Sequence, residues 1–82
     1  MESNTNLKKV KFRVVADDRD ALKRAINYVN LQSNSDYVLI GFESHEVGLG
    51  TIEVSEGKMI PEFLFMMGWR YEIYRKKMKL NF

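Results

Sequence analysis

Cysteine is absent from this chain of 82 residues, and histidine and proline each occur once. Without thiols there is no disulfide scaffold, no thiolate zinc site and no cysteine nucleophile. The lone His45 argues against a histidine-built metal site, so neither metal nor cofactor is expected. No apolar run approaches the ~18 residues of a membrane span. The opening stretch, Met1 to Asn6, is polar, so no signal peptide is expected and the location inferred is cytoplasmic.

What is present is a folding composition. Hydrophobic residues make up 45% of the chain and charged residues 29%, the balance of a soluble globular protein. The length suits one domain spanning residues 1–82. A chain this short buries only ~60–65% of the surface its unfolded form exposes, which makes a homodimer one expected assembly.

The charge is small in total but uneven. Lys8, Lys9, Lys11 and Arg13 stand without an acid between Leu7 and Arg13. Arg70, Arg75, Lys76, Lys77 and Lys79 face only Glu72 between Gly68 and Phe82. The intervening stretch is acidic, so a net charge of +2 conceals two basic ends. Such an arrangement creates local fields that the average hides.

Periodicity supplies the elements. From Lys9 to Ala16, Val10, Phe12, Val14 and Ala16 alternate with Lys9, Lys11, Arg13 and Val15, which reads as a half-buried strand. Asp17-Asp18 offers a helix N-cap and Asp20 an acid in the first turn. Ala21, Leu22, Ala25, Ile26 and Val29 then form an apolar stripe in a helix reaching Gln32. Tyr37 to Phe42 reads as a second strand, with Val38, Ile40 and Phe42 inward and Tyr37 and Leu39 outward. Glu43 to Gly50 reads as a hairpin connection whose glycines serve the turn. Thr51 to Ser55 alternates once more, with Ile52 and Val54 inward.

The last third has two readings. In the first, a short helix from Pro61 to Met67 stops at Gly68 and a strand follows from Trp69 to Lys77. In the second, one helix runs from Pro61 to Lys79, with Ile60, Leu64, Met67, Tyr71, Tyr74 and Met78 as its stripe. The strand reading is favoured, because Gly68 in mid-helix costs ~1 kcal/mol and the aromatic density suits a sheet. The expected fold is therefore α+β, a two-layer antiparallel sheet with helices on one face in the ferredoxin-like order β-α-β-β-α-β. The alternative is β-α-β-β followed by a long C-terminal helix.

The strand reading carries a functional expectation. First and last strands would be neighbours, setting Lys9, Lys11 and Arg13 beside Arg70, Tyr74 and Lys76 on the helix-free face. Cations that hold phosphates and rings that stack on bases make such a face a candidate for single-stranded nucleic acid, RNA before duplex DNA. The two central strands nevertheless lack the aromatic pair of the RNA-recognition module. The expected function is a small noncatalytic regulatory protein binding RNA or another polyanion. The alternative is a protein-binding inhibitor or adaptor of bacterial or phage origin, with Phe63, Phe65, Met66 and Trp69 as a possible contact surface. No activated nucleophile, metal cluster or paired acid can be assembled, so an enzyme is not expected. His45-Glu46 reads as a solvated loop.

Overall fold

A computed structural model describes the backbone of residues 8–80 and the side chains of residues 8–76. Strand β1 (Lys9–Val15) leads into helix α1 (Arg19–Ser33), and strands β2 (Val38–Ser44) and β3 (Gly48–Ser55) form a hairpin. A 3-10 turn, Glu56–Lys58, precedes helix α2 (Pro61–Leu80). The sheet is antiparallel and has three strands in the order β1-β3-β2. This is an α+β fold with two helices, and the core lies between them and one face of the sheet.

Local chemistry explains the first half. Val10, Phe12 and Val14 pack inward while Lys9, Lys11, Arg13 and Val15 are exposed, as the alternation requires. Asp18 caps α1, its Oδ1 accepting from the Ala21 amide at 3.1 Å. All five stripe residues of α1, from Ala21 to Val29, are buried. The helix stops where Asn34 takes a left-handed conformation (φ 54°), a geometry that asparagine tolerates better than most residues.

Strand β2 reverses the expected facing. Tyr37 and Leu39 turn to the core, while Val38 and Ile40 are exposed. The Asn30 side chain fixes the phase, accepting from the Tyr37 amide and donating to the Tyr37 carbonyl, each at 2.9 Å. With its backbone held, the Tyr37 ring enters the core edge-on to Phe12, and its hydroxyl donates to the Lys58 carbonyl at 2.6 Å. A register irregularity between Leu39 and Gly41 then shifts the alternation by one residue. Phe42 consequently packs inward as well, which an unbroken strand with Leu39 inward would forbid.

The glycines of the hairpin also act differently from the expectation. Gly48 and Gly50 lie within β3, and no glycine among the described residues has a positive φ. They serve close approach. A Cβ on Gly48 would stand 2.1 Å from the Ala16 carbonyl oxygen, and one on Gly50 would stand 2.7 Å from Leu22 Cδ2.

No fourth strand forms among the described residues. Residues 69–77, expected as that strand, continue α2 through Gly68. The physical reason is the pairing of faces. Leu64, Met67, Tyr71 and Tyr74 recur at three and four residues and all pack against the core, whereas a strand would send Tyr71 and Tyr74 to opposite sides. The Tyr71 hydroxyl secures this placement. It accepts from the amides of Asp17 and Asp18 at 2.9 and 3.1 Å and donates to Asp17 Oδ1 at 2.7 Å. Burial first, and then that carboxylate, raise the Tyr71 phenol above its ordinary pKa.

Candidate functional site

The six residues expected to form one basic patch occupy two layers of the molecule. Lys9, Lys11 and Arg13 lie together on the helix-free face of β1. Arg70, Tyr74 and Lys76 lie on α2, on the other side of the sheet. A single surface would have required β1 to pair with a final strand, and β1 pairs only with β3 among the described residues.

On β1 the positive field is partly spent. The Lys9 ammonium contacts the Asp36 carboxylate at 2.7 Å. Asp36 also accepts from the Ser55 amide at 3.1 Å and from the Ser55 hydroxyl. Lys9, with Ser55 beside it, holds the Asp36 carboxyl well below the usual carboxylate range. Lys11 stands opposite Glu53 across the sheet, and Arg13 stands opposite Thr51. Neither Tyr74, expected here as a stacking ring, nor Tyr37, expected to face outward from β2, is on this face, since Tyr74 is on α2 and Tyr37 is buried. Apolar groups take their place. Val15, Val38 and Ile40 are 73%, 52% and 45% exposed. The open face is thus cationic along β1 and apolar along β2.

The helical half forms a different cluster. The Arg70 guanidinium carbon sits 4.2 Å from the Tyr28 ring centroid and 5.1 Å from that of Tyr74, and Nη2 donates to the Tyr74 hydroxyl at 3.0 Å. Tyr28 was not among the expected site residues. Its signal was the helical reading of the C-terminal third, which makes Arg70 and Tyr74 neighbours at i,i+4 on the face turned to α1. Lys76 is exposed, and the side chains of Lys77 and Lys79 lie outside the described residues. Of the apolar contact proposed on α2, Phe65 (78%) and Trp69 (57%) are exposed, while Phe63 and Met66 pack partly against the core.

A cleft of about 320 Å³ opens beside β1, between the strand and α2. Phe12, Val14, Leu22, Leu64, Met67 and Gly68 contribute to its lining. A broader polar depression holds Asp36, Glu56 and Lys58, but its perturbed carboxyl is already engaged by Lys9 and Ser55. The Tyr71–Asp17 contact is likewise saturated by backbone amides, which suits anchoring α2 rather than moving a proton. His45 is exposed in the β2–β3 turn. Among the described residues no three His, Asp or Glu side chains converge as a metal site, and no helix is long and apolar enough to cross a membrane. Comparison with protein-family models, curated proteins and solved structures finds no match to this chain.

Proposed function

We propose that this is a small noncatalytic protein that works by binding another protein, as an adaptor or inhibitor, through the helix-free face of its sheet and the β1 edge that borders it. The observation that carries the reading is the composition of the open face: exposed Val38 and Ile40 on one edge strand, and Val15 with Lys11 and Arg13 on the other, across β3, with no ring among them. Apolar groups bordered by charge suit a protein surface, whereas a strand of nucleic acid is held by cations interleaved with stacking rings. The test is recovery of the tagged protein from cells after nuclease treatment. One stoichiometric protein partner, retained by the wild type and lost from the Arg13→Glu/Ile40→Ser variant, supports the reading. Material that disappears with nuclease overturns it.

Binding of RNA or another polyanion is the second reading, favoured by the exposure of Lys11 and Arg13 on an acid-free strand. With the α2 cations displaced to the other layer, about two phosphate contacts remain on β1, for a log–log salt slope near −1.4 with a single strand. Fluorescence titration with a short single-stranded RNA at several salt concentrations measures that slope. No binding at low salt eliminates this reading.

A further inference from the structure

We propose that the outer edge of β1, unpaired among the described residues, takes up an extended acidic segment of a partner protein as a fourth strand. This rests on the protein-binding reading and names the chemistry of the partner.

The ladder bonds define the edge. The Ala16 amide donates to the Gly48 carbonyl at 2.9 Å and the Glu56 amide to the Lys8 carbonyl at 3.0 Å, and the register from Lys9↔Ser55 to Val15↔Leu49 is continuous. In an antiparallel pair these bonds fall on alternate residues, so the even-numbered residues of β1 face β3. The N–H and C=O groups of Lys9, Lys11, Arg13 and Val15 therefore point away from the sheet, along an edge without a bulge. The other edge strand, β2, carries the irregularity at Leu39–Gly41, a feature that blunts strand addition.

Beneath the β1 edge lies the apolar cleft, in the place where a fourth strand would rest its inward side chains. Phe12 and Val14 form one wall, Leu64 and Met67 the other, and Gly68 adds no side chain to the space. This explains why Phe12 and Val14 are only half-buried although they face the core. An added strand would drop alternate side chains into this cleft and present the others on the open face beside Lys11 and Arg13. Recognition by strand addition has this form, with main-chain bonds giving affinity and alternate side chains giving specificity.

Charge selects the occupant. A second copy pairing β1 with β1 would oppose Lys and Arg side chains on one face, where like charges across strands destabilise. Acidic side chains at those positions instead meet Lys11 and Arg13. The segment that fits alternates apolar and acidic residues.

The probe is a capped nine-residue peptide alternating valine and glutamate, with the valine–lysine alternation as its counterpart. Amide exchange is followed by NMR in the whole protein. The acidic peptide is expected to slow exchange at the Lys11 and Arg13 amides, which face the edge, and to bind at least about tenfold more tightly than the lysine peptide. Lys11→Glu/Arg13→Glu is expected to invert that preference. Gly68→Leu, which improves helix propensity while filling the cleft, is expected to weaken binding in a folded protein. Equal binding of both peptides, or unchanged exchange at Lys11 and Arg13, overturns the edge inference. If a stoichiometric partner is still recovered in that case, the protein-binding reading stands without it.

Discussion

Replacing Tyr71 with Phe tests the contact that commits the C-terminal third to a helix. The ring is 8% exposed and remains in place, so the change removes one oxygen and opens no sizeable cavity. Three hydrogen bonds disappear: two from the Asp17 and Asp18 amides and one to the Asp17 carboxylate. A net hydrogen bond is worth about 0.5–1.5 kcal/mol, and an amide left buried without a partner costs more. Asp17 is exposed and Asp18 half-buried, so water replaces part of the loss. The expected destabilisation is about 2 kcal/mol, or about 8–16 °C in Tm for a domain this size. Urea unfolding followed by circular dichroism measures it, with m unchanged if the native fold is kept. The pH dependence supplies a second signature. A phenol whose folded pKa exceeds its unfolded value contributes stability that is present below about pH 10 and lost as pH rises through the folded value. The gap between wild type and Tyr71→Phe should therefore narrow in alkaline solution. A loss below about 0.5 kcal/mol at neutral pH would refute the anchoring argument.

Asp36 has the opposite sign. Its folded pKa lies below the unfolded value, so its stabilisation is present above about pH 4 and is lost as pH falls further. Asp36→Asn should be less stable at neutral pH and converge with the wild type in acid, read by unfolding at several pH values. Gly68→Ala should stabilise by about 0.5–1 kcal/mol, because the new Cβ meets nothing within 4 Å and the helix gains propensity. Gly48→Ala should destabilise by more than about 2 kcal/mol, since its Cβ would collide with the Ala16 backbone. Thermal unfolding separates this pair by direction alone. Amide exchange in the free protein should show Val10, Phe12 and Val14 protected and Lys9, Lys11 and Arg13 fast; uniform protection along β1 would contradict an open edge.

The sequence by itself determined what depends on local periodicity and composition. Strand β1, the Asp18 cap, the apolar stripe of α1 and the inward facing of Ile52 and Val54 follow from spacing, because one buried face repeats at two or at 3.6 residues. The exposure of Lys9, Lys11 and Arg13 was legible for the same reason. Tertiary contacts decided the rest. The facing of β2 depends on an asparagine seven residues upstream that holds the Tyr37 backbone, and on an irregularity that no alternation announces. The state of residues 69–77 was balanced locally, since their aromatics suit a strand and their stripe suits a helix. Asp17 and Asp18, more than fifty residues away, tipped it by holding the Tyr71 hydroxyl. That one long-range choice also moved Arg70 and Tyr74 from the sheet to the helical layer and left the β1 edge unpaired among the described residues. Periodicity reports which face of an element is apolar; which neighbour covers that face is fixed only when the whole chain packs.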